Sequence, residues 1–448
     1  MAEHFDVIVL GMGPGGEVVA SKLLAGGKRV AVVERELIGG ECGYWACIPS
    51  KTLLRPPEAR EGARKAAGTG TPDLDWPEAS AYRDYMIRNL DDAKQVESYE
   101  EQGAAVFKGR GRITAPGVVE VNGQALHAEH IIVATGSDAT IPPIEGLGDV
   151  PVWTNREATT LKAIPERAVL VGGGPVGVEL GQMLARFGTR VSIVQSADRL
   201  IDREEPRMGE LIASALAEDG IDIRVGRTVT RARRDGADTI IELDDGSTIS
   251  TDVIVIGTGR TPRTRGIGLE SVGVEPGENG LSVDEMCRLT EGLWAVGDVT
   301  GVMPFTHVAK YQGRIVASNI LGKPAKANYR SIPRVVFSDP EIAAAGLTEE
   351  QASAQGMDVV TATVNLPETL ARPWTYEQEP RGEMGLVADR ERGVLVGAWA
   401  VAPLSSEWIH QASIAIRAAI PVSTLLDTAA QFPTYSEAYL AGLEQLEL

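Results

Sequence analysis

The hydrophobic pattern of the chain begins with a short apolar run at residues 5–10, FDVIVL, which stops at a glycine cluster, GMGPGG. The following EVVASKLLAGG has the texture of a helix, and a second apolar run, RVAVVE, ends at Glu34. Continuous runs bounded by glycine predict buried strands, with a helix between them. The same grammar returns at residues 168–195, AVLVGGGPVGVELGQMLARFGTRVSIVQ. A doubled strand–glycine–helix–strand unit predicts an α/β fold with two dinucleotide-binding domains of Rossmann type.

Residues 55–100 are charged and helix-prone, and RPPEAREGARKAA and TGTPDLDWPEAS are expected to break or cap the helices there. Alternating segments at 104–133 and 223–256, studded with Gly, Asp and Asn, predict an antiparallel ribbon added to each nucleotide domain. From about residue 330 the texture changes: RVVFSDPEIAAAGL, MDVVTATVNL, MGLVADRERGVLVGAWAV and SSEWIHQASIAIRAAI suggest strands with covering helices. A separate C-terminal α+β domain follows. The expected division is 1–148 for the first nucleotide domain, 149–262 for the second, 263–328 for a return to the first, and 329–448 for the C-terminal domain.

Composition narrows function more than fold. At 448 residues the chain is too long for one core, and 43% apolar with 23% charged residues is ordinary for a globular protein. A net charge of −19 argues against nucleic-acid binding and reads as a solvated surface. No stretch approaches the ~18 consecutive apolar residues of a membrane span. The N-terminus enters a strand with no room for a basic leader, so a cytoplasmic location is expected. Three cysteines in such a chain do not make a disulfide framework, and a close pair is more often redox-active or metal-binding.

Each glycine cluster carries its own chemistry. Gly11, Gly13 and Gly16 permit a tight turn, close approach to a pyrophosphate and close helix packing, with the helix N-terminus facing the phosphates. Glu34, ending the next strand, is positioned to accept hydrogen bonds from an adenosine ribose; a merely structural turn would not require it. In the second set, Gly172, Gly174 and Gly177, the corresponding position is Gln195. Glutamine bonds a ribose without repelling a 2′-phosphate, and Arg199 lies four residues on. That leans towards NADPH over NADH, against the plainer reading of Arg199 as a solvated surface group.

Cys42 and Cys47 stand five residues apart in IGGECGYWACIPSK. On a regular helix that is about 7.5 Å of rise, whereas a disulfide needs Cα atoms within roughly 7 Å. A bonded pair therefore requires a distorted turn, which Gly43 would help to bend, with Pro49 suited to the first turn of a following helix. Metal binding is the runner-up, but no second Cys or His cluster completes a four-ligand site. Cys287, in DEMCRLT, reads as a buried small residue.

Two nucleotide fingerprints with a C-x4-C-x-P-S-K motif behind the first resemble the class I pyridine nucleotide–disulfide oxidoreductases, the family of glutathione reductase and dihydrolipoamide dehydrogenase. The likeness covers essentially the whole chain. IIVATGS, with Ala134, Thr135 and Gly136, resembles the family's flavin-domain return segment, and GTGRTPRT its crossover out of the nicotinamide domain. LWAVGDV supplies Asp298, where the family's aspartate binds the FAD ribityl chain, and VVFSDPEIAAAGLTEEQA is similar to the opening of its dimer-interface domain. The resemblance implies FAD at the first site and NAD(P)H at the second, and it adds Gly111, Thr306 and Gly259 to the cofactor-binding set. It implies hydride transfer to the flavin and electron transfer to a Cys42–Cys47 disulfide, with Cys47 nearer the flavin and Cys42 the interchange thiol. Lys51 and Glu179 match the family's ion pair beside the flavin N5. A homodimer acting on a small molecule, with the active site shared between subunits, is also implied.

One departure stands out. The family's acid/base is a histidine in an H-P-T-x-x-E motif given by the partner subunit. This chain has Phe432, Pro433, Thr434, Tyr435, Ser436 and Glu437. Glutamate is kept and histidine is lost, although thiol–disulfide exchange needs a proton donor and a base. His307 and His410 read as structural residues. The 2-ketopropyl-coenzyme M carboxylases are similar in having Phe at this position, where proton exclusion protects a carbanion. They also replace the glutamate that is kept here. Glu41, Tyr44, Trp45 and Ala46 depart from the family's usual Cys loop as well. The chain lacks the C-terminal cysteine pair of mercuric reductases, which sets that activity low. The expected function is an NAD(P)H oxidoreductase with a working dithiol and an unassigned acceptor, set against a flavin-direct quinone or oxygen reductase with a vestigial dithiol, or a proton-excluding enzyme like the 2-ketopropyl-coenzyme M carboxylases.

Overall fold

The computed structural model describes residues 3–448, so Met1 and Ala2 of the opening stretch lie outside the described residues. The described chain forms two compact units. The first runs to Ser50 and adds Ala81–Thr140 and Gly259–Asn328. The second comprises Lys51–Ser80, Ile141–Thr258 and Tyr329–Leu448.

In the first unit the apolar runs become adjacent strands. Glu3–Leu10 pairs in parallel with Val30–Glu34 on one side and Gln124–Val133 on the other. Ala105–Lys108 and Leu293–Ala295 extend this sheet, again in parallel. Helix Pro14–Ala25 buries Val19, Ala20 and Leu23 in one cluster with Val7, Val9 and Val32. Each of these valine and leucine side chains removed from water contributes about 1.5–3 kcal/mol before entropy is counted. Cys287 lies fully buried in the same cluster, as its reading required.

The ribbon expected at 104–133 is narrower than its pattern suggests. Gly111–Ala115 and Val118–Val121 pair antiparallel, but Gln124–Val133 belongs to both layers. Its alternating start closes the ribbon, and its continuous apolar end enters the parallel sheet, buried on both faces. A second correction concerns RPPE. Helix Cys47–Lys65 runs through Pro56 and Pro57 rather than breaking there. Two missing N–H donors are tolerated because Leu53 and Leu54 anchor this helix in a core cluster with Leu180 and Met183. The expected cap further on is real, with the Glu78 N–H donating to Asp75 at 2.9 Å.

The second unit repeats the parallel theme. Its strands run Asp222–Val225, Arg190–Gln195, Arg167–Val171, Val253–Ile256 and Val152–Trp153, all parallel. The ribbon Val229–Asp235, Asp238–Leu243, Thr248–Thr251 is antiparallel. The C-terminal segment forms a five-stranded antiparallel sheet with Glu341–Gly346, Val394–Ala402 and Glu383–Asp389 at its centre. One face packs on helices through Trp408, Ile409, Tyr439 and Leu443. Among the described residues no helix is long and apolar enough to cross a membrane, and no cluster of three or more His, Cys, Asp or Glu could hold a metal ion.

Candidate active site

Both glycine loops are built from backbone pressed on backbone. A Cβ at Gly11 would sit 2.4 Å from the Ala134 carbonyl oxygen, and one at Gly16 would sit 2.1 Å from that of Gly11. At Gly172 and Gly177 the corresponding distances are 2.5 Å to Gly257 and 1.9 Å to Gly172. Gly13 and Gly174 differ from these: each is the N-cap of a twelve-residue helix, without a side-chain cap, and a Cβ there would meet nothing within 4 Å. Open space over bare helical N–H groups suits a diphosphate. The residues present therefore fit dinucleotides at both loops.

The strand-end side chains hold the loops. Glu34 accepts from the Met12 N–H and from the Glu36 N–H, both at 2.7 Å. Burial pushes its carboxyl above the ordinary glutamate value, and the two N–H bonds oppose that shift. Gln195 accepts from the Gly173 N–H at 2.9 Å. Arg199 is already engaged, donating to the Asp202 carbonyl at 2.9 Å and lying 3.2 Å from Asp198. It is an anchored guanidinium, not a freely solvated one.

Cys42 and Cys47 are both thiols in the structure, Cys42 on the five-residue helix Gly40–Tyr44 and Cys47 at the start of the long helix Cys47–Lys65, with Trp45 and Ala46 between them. The distorted turn is present, but its site needs correcting. Gly43 lies inside helix Gly40–Tyr44, and the kink falls at Trp45, whose φ of −134° and ψ of −1° stop that helix. Left-handed Gly39 and Gly40 supply the entry bend, at φ 119° and 59°. Pro49 falls in the first turn of Cys47–Lys65, as expected. Cys47 Sγ lies 3.3 Å from the Thr306 hydroxyl, which opens helix Thr306–Ile320. The Cys42 thiol is pushed up by its hydrogen bond with Cys47, by burial and by Coulomb repulsion from Cys47, while Thr306 and Lys310 oppose the shift. The same contacts disfavour a thiolate on Cys42, and the N-terminal end of helix Thr306–Ile320 stands beside Cys47. Of the two aromatics in the loop, Tyr44 is fully buried and packs, whereas Trp45 is half-buried.

On the flavin side of the expected site, Asp298 accepts from Ser137 Oγ at 2.6 Å, and Arg260 donates to that same hydroxyl at 2.6 Å. Thr135 Oγ1 donates to the Arg263 carbonyl at 2.7 Å, and Arg263 returns an N–H to Gly136. Gly111 packs directly under Leu10 and Val33, where a Cβ would collide. Gly259 accepts from the Thr140 N–H within the first unit. Ser137, Arg260, Arg263 and Lys310 were missed from sequence; only the charges in GTGRTPRT hinted at two of them.

In the second unit Lys51 Nζ stands 2.6 Å from Glu179 Oε2, with Glu179 nearly buried. The other Glu179 oxygen accepts from the Phe337 N–H at 2.9 Å, and the Phe337 ring lies under the Lys51 ammonium at 4.7 Å. Glu437 accepts from the Thr434 N–H at 3.0 Å, bracing the loop that carries Phe432. Phe432 is 72% exposed, the most exposed large apolar side chain among the described residues. His307 stacks on Phe305, and His410 is an exposed side chain at the start of a helix that buries Ala412, Ala415 and Ile416.

With this geometry in place, comparisons with known proteins are direct. Residues 5–313 match the family model "Pyridine nucleotide-disulphide oxidoreductase", and 332–441 match its dimerisation domain. The chain is 35% identical over 450 residues to mercuric reductase of Streptomyces lividans, covering 97% of this chain and 94% of that protein. It is 32% identical over 455 residues to dihydrolipoyl dehydrogenase of Thermus scotoductus, covering 99% and 97%. The solved structure of HOCl-induced flavoprotein disulfide reductase RclA from Escherichia coli matches with TM-score 0.87 and 27% identity, over 98% and 99% of the two chains. Mercuric reductases, whose activity the sequence reading set low, are relatives over nearly the whole chain. The chain belongs to the class I pyridine nucleotide–disulphide oxidoreductases, and is an FAD-dependent enzyme that draws on NAD(P)H.

Proposed function

We propose that this enzyme takes electrons from NAD(P)H, with a lean to NADPH, and delivers them through Cys42 and Cys47 to an acceptor that needs no histidine-borne proton. A quinone or a carbon electrophile fits better than glutathione or lipoamide. The observation that carries the reading is Phe432: an exposed phenyl ring where the family holds its acid/base, on a loop still braced by Glu437. A general acid/base contributes about 10²–10⁴-fold, so a disulfide acceptor would be reduced slowly here.

Residues 1–148 with 263–328 would hold FAD, through Gly11, Gly13, Gly16, Glu34, Gly136 and Asp298. Residues 149–262 would hold NAD(P)H, through Gly172, Gly174, Gly177, Gln195 and Arg199. FAD, when bound, supplies the two-electron carrier between nicotinamide and dithiol. Lys51, held by Glu179, offers a fixed ammonium where negative charge develops. Cys47 carries the thiolate under the Thr306 helix end, leaving Cys42 as the sulfur that meets the acceptor. Residues 329–448 would form a homodimer, bringing Phe432 and Glu437 to the neighbouring subunit's dithiol.

The test is NADH- and NADPH-driven turnover of small disulfides and of quinones by the wild type beside Phe432→His, with molecular mass read by light scattering. Slow disulfide turnover that rises at least tenfold in Phe432→His supports the reading. Rapid wild-type disulfide turnover, or a fully active monomer, refutes it.

A further inference from the structure

The helix that carries Cys42 is poorly equipped to hold itself. Gly40–Tyr44 has five residues, begins after a left-handed glycine and has no side-chain cap, far below the ~12 residues at which helices persist alone. One side chain in it is tied down by charge. Glu41, next to Cys42, lies 3.1 Å from Arg263, and both are largely buried, at 18% and 14% side-chain exposure. Arg263 also bonds Asp138 through Nε at 2.7 Å. Its own backbone is fixed by the reciprocal bonds with Thr135 and Gly136, on the strand pair Arg260–Pro262 with Ser137–Ala139.

We propose that Arg263 and Glu41 are positioning residues for the dithiol: a buried ion pair, mounted on the 135–138 segment, that holds Cys42 against Cys47. Neither touches the reacting sulfurs, and both act through the short helix. Glu41 is one of the residues at which this chain departs from the family's usual Cys loop, so the clamp belongs to that departure. Releasing it frees Cys42 to move, which lowers the effective concentration of one sulfur at the other. The disulfide then becomes easier to reduce, because only the closed geometry can form the S–S bond.

The inference rests on the reading of Cys42 and Cys47 as a redox pair. Its test equilibrates the FAD-loaded enzyme with glutathione disulfide and glutathione. Two protein thiols give one disulfide, and one glutathione disulfide gives two glutathiones. Trapped Cys42 and Cys47 are then counted by mass spectrometry. Arg263→Met and Glu41→Gln should each lower the equilibrium constant for disulfide formation about tenfold, ~30 mV for a two-electron couple. The double variant should be no worse than either single, because both remove the same contact. Arg263→Lys should recover part of the loss, and Asp138→Asn, at an exposed carboxylate, should stay within about twofold.

Single variants with wild-type equilibrium constants, or losses that add in the double variant, overturn the clamp. A wild type that forms no Cys42–Cys47 disulfide overturns the redox-pair reading and the clamp with it. Since Glu41→Gln leaves Arg263 in place, a folding failure of Arg263→Met alone still leaves the proposal decided.

Discussion

The two glycine loops share a backbone and differ in one functional group. Both begin at a left-handed glycine, Gly11 at φ 101° and Gly172 at φ 112°, and both feed a helix through a glycine N-cap and a proline. In each, the side chain ending the next strand accepts the N–H of the residue between the first two glycines: Glu34 from Met12, Gln195 from Gly173. Beyond that point they part. Glu34 uses its second oxygen on the Glu36 N–H, a task an amide with one carbonyl cannot share. Gln195 has only one N–H to satisfy, so an amide suffices, and its NH2 group stands 3.5 Å from Asp202. The charged end therefore appears where two backbone donors must be held, and the neutral end where there is one.

The sharpest way to break the comparison is to fill the space both loops share. A methyl at Gly16 or Gly177 would collide with the Gly11 or Gly172 carbonyl, and neither backbone can retreat without reopening its loop. Gly16→Ala is expected to purify with little flavin absorbance. Gly177→Ala should retain its flavin, yet neither NADH nor NADPH should bleach it. A Gly177→Ala protein that bleaches normally would show that the second loop does not hold the nicotinamide coenzyme.

These loops were also the most legible part of the chain, for a physical reason. Strand, turn and helix there are set by neighbours in sequence, and Gly16 and Gly177 answer to the carbonyls of Gly11 and Gly172 in the same short unit, although Gly11 and Gly172 themselves meet the distant Ala134 and Gly257. The Cys42–Cys47 turn was legible as a necessity of spacing, but its kink was assigned to Gly43 when Trp45 supplies it. Helix Cys47–Lys65 was misread because local rules condemn Pro56 and Pro57, while Leu53 and Leu54 are retained by distant partners. The Arg263–Glu41 pair is separated by 222 positions, and nothing in either neighbourhood announces it. Lys51 and Glu179, 128 apart, were matched only through family resemblance.

A smaller change tests what the amide is for. Gln195→Glu keeps the acceptor for Gly173 and adds a negative charge near the expected ribose. Binding of NADPH should weaken about tenfold more than binding of NADH, as one added like charge at a partly buried site costs on the order of 1–2 kcal/mol. Titration of flavin-loaded enzyme, followed by coenzyme fluorescence, reads both constants. Equal weakening of the two would mean that no 2′-phosphate comes near Gln195, and the lean to NADPH would fall.

The mildest test asks whether Glu34 acts through its charge or only through its shape. Burial outweighs the two N–H bonds, so the carboxyl of the folded apo-protein takes up its proton at higher pH than a free glutamate, ordinarily near ~4.3. The sign follows directly. Above the raised value the group is an anion that can accept from Met12, Glu36 and a ribose at once, and below it one acceptor is lost. FAD affinity should therefore fall as pH drops through a value above the ordinary glutamate range, while the fold itself is relieved of a buried charge. Glu34→Gln should lose roughly 5–150-fold in FAD affinity at neutral pH, because its single amide oxygen must serve Met12 and Glu36 and leaves a ribose hydroxyl without an acceptor in the complex (~1–3 kcal/mol), and its affinity should be flat across that acid range. Fluorescence of released flavin measures both. A wild type as flat as the variant would place the whole role of Glu34 in its two backbone bonds, and the contrast with Gln195 would then be one of acceptor number rather than charge.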